Sequence, residues 1–126
     1  FQYQCVFPSE VSEYGVKEVL KIIRKGNQKS YLGVVKNFGN IESKGILSFA
    51  RPGTTLALDF RNKGQETLNL FQQLDSVVAQ LKGALYPAKD ARMSGEMFRA
   101  SFPRYEEFLK FVDPKFSSSF WERVSR

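Results

Sequence analysis

Apolar and polar positions along the chain recur with two different periods, and the switches between them mark out the elements. From Phe1 to Phe7 the period is two. Phe1, Tyr3, Cys5 and Phe7 point one way and Gln2, Gln4 and Val6 the other, which predicts a strand ended by Pro8. Ser9 is expected to cap the next element. Val11 to Lys25 changes to three-to-four spacing: Val11, Gly15, Val19, Ile22 and Ile23, with Leu20, form an apolar helical stripe. Lys21, Arg24 and Lys25 suit the negative end of that helix, and Gly26 is expected just past it in a left-handed conformation. Period two returns from Ser30 to Phe38, with Tyr31, Gly33, Val35 and Asn37 on one face and Leu32, Val34, Lys36 and Phe38 on the other. After a loop from Gly39, a short strand is expected over Gly45–Phe49 and a turn at Arg51-Pro52-Gly53. Thr54 to Arg61 alternates again: Leu56, Leu58 and Phe60 oppose Thr55, Ala57 and Asp59.

Gly64 to Lys82 carries the clearest helical stripe, Leu70, Leu74, Val77, Val78 and Leu81, with Gly83 as the expected terminating glycine. Ala84–Tyr86 reads as one more short strand. Ser94 is placed to cap a helix through Ser101. Pro103 suits the first turn of another helix, with Tyr105, Phe108 and Phe111 on one side and Asp113-Pro114 as its stop. An aromatic and serine segment, Phe116–Trp121, precedes the last basic residues.

The order strand, helix, strand, strand, helix, strand, then helices predicts an α+β fold. It is a ferredoxin-like split β-α-β antiparallel sheet, helices on one face, with a short helical C-terminal tail. The helix-side face would carry Phe1, Tyr3, Cys5, Phe7, Tyr31, Val35, Leu56, Leu58 and Phe60. The open face would carry Gln2, Gln4, Leu32, Val34, Lys36, Phe38, Thr55, Ala57 and Asp59. Amides, a lysine, a hydroxyl and a carboxylate on that second face suit either solvent or a polar small molecule.

Composition narrows the chemistry. With no histidine and one cysteine among 126 residues, Ser-His and Cys-His nucleophile pairs and an internal disulfide are excluded, and a structural zinc site is not expected. Asp59, Asp75, Asp90 and Asp113 do not cluster, and no glycine-rich phosphate loop is formed. Met93, Met97 and Cys5 fit core packing better than ligand or nucleophile roles. The net charge of +6 is compatible with an anionic partner, but the cations are dispersed, and Lys17–Lys25 reads as a solvated helix face. Nucleic acid is not the expected partner, because Phe1, Tyr3 and Tyr31 are assigned to the helix side and only Phe38 to the open face. No apolar run reaches the about 18 residues of a transmembrane segment, and the cysteine usage fits a reducing, cytoplasmic setting, at most peripheral to a membrane. The chain opens on Phe1 rather than Met, as a processed or excised piece would. On these residues alone, a freestanding non-catalytic α+β module for an anionic ligand stands as one reading.

A run of motifs adds another. In order, these are Phe1-Gln-Tyr-Gln-Cys-Val-Phe-Pro8, Val34-Val-Lys-Asn-Phe-Gly39, Leu47-Ser-Phe-Ala-Arg-Pro-Gly53, Leu56-Ala-Leu-Asp-Phe60, Gly83-Ala-Leu-Tyr-Pro-Ala-Lys-Asp-Ala-Arg92, Phe98-Arg-Ala-Ser-Phe-Pro-Arg104 and Val112-Asp-Pro114. They resemble the C-terminal part of FAD-linked oxidases of the vanillyl-alcohol-oxidase type. The nearer likeness is to the decaprenylphosphoryl-ribose branch, and alditol and aldonolactone oxidases stand further off.

The resemblance implies a substrate, or cap, domain over residues 1–88 and a helical tail over 89–126 that packs toward a flavin domain outside this chain. That domain would bind most of the FAD and be the chain's principal partner. The implied activity is oxidation of a sugar or polyol alcohol, with hydride passing to the flavin. Lys89 would be catalytic and, with Tyr86, contact the cofactor. Gln2, Gln4, Lys36, Phe38, Thr55 and Ala57 would line the substrate pocket. The ribose-oxidase branch carries asparagine and cysteine where this chain has Thr55 and Ala57, so the pocket wall differs there. The fragment alone is expected to be inactive.

Overall fold

The alternation of the first residues does form a strand, β1 (Gln2–Pro8), and it becomes the strand on which the sheet is centred. The computed structural model describes every residue, Phe1–Arg126. β3 (Gly53–Phe60) pairs antiparallel with β1, β2 (Ser30–Phe38) adds antiparallel to β3, and β4 (Ala84–Leu85) adds antiparallel to the other side of β1. The order across the sheet is β2-β3-β1-β4, the split β-α-β plan expected from the element order. Two helices, α1 (Ser12–Lys25) and α2 (Gln65–Gln80), lie together on one face. The tail folds as α3 (Gly95–Ser101), α4 (Tyr105–Leu109) and α5 (Ser119–Val124).

Side chains alternate across a strand, so Tyr3, Cys5 and Phe7 meet Leu56, Leu58 and Phe60 beneath Val19, Ile23, Leu70, Leu74 and Val78. The same continuous core takes in Met93, Met97, Phe98, Phe102, Tyr105 and Val124, on the C-terminal side of β4. Around Phe98, the rings of Phe102, Tyr105, Phe120 and Trp121 stand at centroid distances of 4.9, 5.9, 5.6 and 6.5 Å. These tilted and edge-on arrangements are the ones aromatic quadrupoles favour. Ser94 caps α3 by accepting the Met97 N–H, as its position predicted, and Ser118 caps α5 by accepting the Trp121 N–H. No helix is long and apolar enough to cross a membrane.

Several local expectations are corrected. Ser9 does not cap α1: it opens a short 3-10 turn, and the hydroxyl that organises this corner is that of Ser12. Ser12 Oγ lies 3.0 Å from the Phe7 carbonyl and 2.8 Å from that of Pro8, and it accepts the Thr54 N–H at 3.1 Å. It thus joins the end of β1, the start of α1 and the start of β3. Gly26 is extended rather than left-handed, at φ −80° and ψ 168°. After α2 the left-handed residue is Lys82, at φ 53°, not Gly83. Gly83 is needed for a different reason: a Cβ there would lie 2.6 Å from the Val6 carbonyl oxygen. Gly45–Phe49 forms no strand, because a turn at Ile46–Leu47 folds the segment back across the sheet.

The helix-side assignment of Tyr31 and Val35 also fails. They are 74% and 60% exposed, because α1 and α2 lie over β1, β3 and β4 and do not reach the edge strand. An irregularity between Ser30 and Leu32 moreover displaces Tyr31 from the regular pairing. Leu20, placed in the α1 stripe, is 46% exposed, and Phe111 is 70% exposed because α4 ends at Leu109. Phe1 is only partly in the core, 40% exposed, with its ring edge against Phe71.

Cys5 is fully buried in the core, as expected of a small hydrophobe. Burial, with Asp75 adding to it, pushes its thiol from an ordinary 9.0 up to about 12. The stabilisation that comes from keeping this thiol protonated is complete below pH 9.0 and is lost as pH rises toward about 12. At pH 8 a soluble thiol reagent should therefore label Cys5 no faster than the chain unfolds. Fast labelling of folded protein would contradict the burial.

Candidate functional site

Register determines which side chains share the open face. Leu32, Asp59 and Gln2 form one row; Val34, Ala57 and Gln4 form the next; Lys36, Thr55, Val6 and Ala84 form a third. Past β4, Tyr86 N–H donates to the Gln4 carbonyl at 2.9 Å, so Tyr86 extends the middle row. Gln2, Gln4, Lys36, Phe38, Thr55, Ala57 and Tyr86 therefore lie on or beside one surface. They do not all present free groups. Gln4 Nε2 donates to Thr55 Oγ1 at 3.0 Å, and Thr55 Oγ1 donates to the Cys5 carbonyl at 2.9 Å. Thr55 is 2% exposed, so its hydroxyl fixes the Gln4 amide instead of meeting a ligand. Gln4 Oε1 is left as the free end of that pair.

Phe49 closes one end of this face, a role not legible from its place in an expected strand. It packs on Val6 and Ala84, stacks on Tyr86 at 4.6 Å and meets Phe38 edge-on at 6.1 Å. Aromatic rings from the two flanks of the sheet are thereby joined into one wall. Lys36 Nζ stands 4.9 Å from the Phe38 ring centroid, on the exposed side of that wall. Arg51 holds the returning loop, donating to the carbonyls of Ser101 at 2.8 Å, Ser48 at 3.2 Å and Phe49 at 3.4 Å. Burial pushes its guanidinium below its ordinary value, which these carbonyl contacts do not reverse.

The second part of the site is a cleft of about 220 Å³ beside the first half of β1. It exists because β4 stops at Leu85 and only the Tyr86 N–H continues the pairing to Gln4, leaving the flank of β1 from Phe1 to Tyr3 uncovered. The chain then makes a 3-10 turn over Pro87–Lys89, whose Lys89 N–H donates to the Tyr86 carbonyl at 3.1 Å. Lys89 lines this cleft together with Gln2, Gln4 and Tyr86. No carboxylate pairs with its ammonium, since Asp90 engages Arg123 and Asp75 engages Arg92.

Tyr3 and Arg92 also line the cleft and are joined through Asp75 in a polar group of three. Tyr3 OH donates to Asp75 Oδ1 at 3.0 Å, and Arg92 grips the same carboxylate with two terminal nitrogens at 2.6 and 2.8 Å. The Arg92 guanidinium also faces the Phe71 ring at 5.1 Å, while its Nε is buried without a partner. Burial pulls the Arg92 guanidinium down, but the bidentate bond and the charge of Asp75 outweigh this and hold it above its ordinary value. Burial raises the Tyr3 hydroxyl, and the neighbouring Cys5 and Asp75 raise it further. No three or more His, Cys, Asp or Glu side chains are grouped to hold a metal ion.

The donor set can be matched against a flavin. The Gln2 amide and the Lys89 ammonium can donate to an acceptor-rich edge such as that of an isoalloxazine ring, while Gln4 offers its free Oε1 as an acceptor. No glycine-rich loop opens either long helix, an arrangement that commonly cradles a dinucleotide pyrophosphate.

No protein-family model matches the chain. It is similar to a protein of Mycolicibacterium smegmatis named decaprenylphosphoryl-beta-D-ribose oxidase. The two are 38% identical over 117 residues, which is 90% of this chain and 25% of that protein. A protein of Streptomyces coelicolor, described as an uncharacterized protein in the mprA 5' region, is 33% identical over 97 residues, covering 75% of this chain and 26% of its own length. The chain spans about a quarter of the length of both relatives, and is a partial match to an oxidase.

The Asp75 group yields a stability prediction. Asp75→Ala leaves Arg92 and Tyr3 without their shared acceptor and should cost about 3 kcal/mol in denaturant unfolding. Tyr3→Phe removes one hydrogen bond and should cost about 1 kcal/mol. Equal losses for the two variants would show that Arg92 is not held by Asp75.

Proposed function

We propose that this chain is the substrate-side piece of a larger FAD-dependent oxidoreductase acting on an alcohol of a sugar or polyol, with the flavin bound mainly by a domain outside these residues. The observation that carries this reading is the 38% identity to a quarter of an oxidase whose name gives a ribose derivative as its substrate. It is supported by Gln2, Gln4, Tyr86 and Lys89 lining one cleft at the sheet edge. FAD, when bound, supplies the two-electron chemistry.

The chain's own residues bind and polarise. The Lys89 ammonium, free of any carboxylate, stabilises negative charge on the reduced cofactor or on the substrate oxygen. Gln2 and Gln4 hold substrate hydroxyls, and Gln4 does so from an amide already oriented by Thr55. Lys36, at the exposed side of the Phe38–Phe49–Tyr86 wall, suits an anionic substituent such as a phosphate. Ala57, in the Gln4 row, leaves that wall without a thiol. Residues 1–88 form the substrate domain in this reading, and 89–126 the tail that packs toward the flavin domain.

In the full-length protein, Lys89→Ala should slow flavin reduction by substrate about 100-fold in stopped-flow absorbance, with an unchanged thermal melting profile. An unchanged reduction rate would remove Lys89 from the chemistry. The 126-residue chain alone should purify colourless and show no turnover. A flavin absorbance band on it would contradict the division of the cofactor site between two domains.

A further inference from the structure

The loop that carries Lys89 is fastened from the far end of the chain. Asp90 follows Lys89 directly, and its side chain is 9% exposed. Its Oδ2 accepts the backbone N–H of Arg92 at 3.0 Å and that of Met93 at 2.7 Å, closing a tight turn. A third donor meets the same oxygen: a terminal nitrogen of Arg123, from α5, at 3.1 Å. Arg123 Nε donates to the Met93 carbonyl, also at 3.1 Å. One planar guanidinium thus bridges the turn, gripping the carboxylate that closes it and the carbonyl at its end. Lysine has no such fork, so the two bonds call for arginine.

The helix that bears Arg123 is itself fixed. Val124 is fully buried in the core. Arg99 of α3 donates to the carbonyls of Val124 at 3.4 Å and Arg126 at 3.2 Å. Gly95 lets the segment approach, since a Cβ there would stand 2.8 Å from the Val124 carbonyl oxygen and 2.7 Å from that of Arg126. Arg92 cannot replace Arg123 at Asp90, because its terminal nitrogens are committed to Asp75. Without Arg123 a nearly buried carboxylate loses its one ion-pair partner, and the turn loses one of its two sides. Lys89 would feel this first. Its backbone is held by one N–H bond, to Tyr86, and its ammonium has no partner in the chain to restore its place.

We propose that Arg123 is a positioning residue for Lys89: acting through Asp90, it sets where the ammonium sits in the cleft. This rests on the reading of Lys89 as the charge-stabilising group. It has a specific consequence. Gln2 and Gln4 stand on β1, which Arg123 does not touch, so loss of Arg123 moves the group that acts on developing charge and leaves those that hold substrate. The limiting rate should fall while the apparent substrate affinity is kept.

The test compares the full-length flavin-loaded protein with its Lys89→Ala, Arg123→Ala and Arg123→Lys variants. Arg123→Ala should lower the limiting rate of flavin reduction by about 10- to 100-fold, the scale of a misplacement near 1 Å, with KM changed less than about two-fold. Arg123→Lys, able to reach Asp90 but not to bridge to Met93, should recover part of that loss. Independently of activity, hydrogen exchange of residues 86–93 should quicken in Arg123→Ala while α1 and α2 keep their protection.

A slow Lys89→Ala beside a wild-type Arg123→Ala would overturn this proposal alone. So would exchange that quickens equally in α1 and α2, which would make Arg123 merely structural. A Lys89→Ala protein with wild-type reduction would sink the reading of Lys89, and the role of Arg123 with it.

Discussion

Arg92 leaves the loop after β4 and crosses to α2, where two of its nitrogens meet the Asp75 carboxylate that Tyr3 of β1 also reaches. Sheet, helix and loop are joined at this one half-buried group. A buried ion pair is weak evidence of net stability, because desolvation opposes the Coulomb attraction. Its value here is geometric. An apolar contact would let the loop slide, whereas a bidentate guanidinium–carboxylate pair fixes both distance and direction. With Asp75 holding Arg92 and Arg123 holding Asp90, the turn after Lys89 is tied on two sides, and Lys89 itself remains free to face a ligand.

The sheet contributes by where it stops. β4 is only two residues long, so the first half of β1 has a free flank, and that flank is the cleft. The opposite edge strand is exposed on both faces, with Leu32 and Val34 55% and 52% exposed on the open side. Between these edges the open face divides by chemistry. Phe38, Phe49 and Tyr86 make an apolar wall, and Gln4, oriented by Thr55, gives a fixed polar point beside it. Under the proposed function the same division separates what shapes the substrate pocket from what acts on charge.

The face assignments of β1 and β3 were legible because α1 and α2 cover one face of both strands, and burial of that face enforces the alternation. β2 alternates in sequence too, yet Tyr31 and Val35 are exposed. Alternation records the pleat, not whether a helix lies above it. Gly26 and Gly83 were misread for a related reason. Glycine after a helix suggests the left-handed turn, but Gly83 is small because β1 passes close by, while Lys82 takes the positive φ. Lys89 and the two glutamines could be singled out by the motifs around them. Phe49 could not, since its neighbours Ile46 and Leu47 mimic a strand. The Asp90–Arg123 bond spans 33 residues and has no local pattern that would announce it.

The most direct test of the central claim is a crystal structure of the full-length protein with flavin and a bound sugar or polyol. The account predicts the Lys89 ammonium within about 3 Å of an acceptor on the flavin ring or of a substrate oxygen, with Gln4 on the same ligand. A flavin ring seated elsewhere, with this cleft filled by protein side chains and Lys89 in solvent, would contradict it.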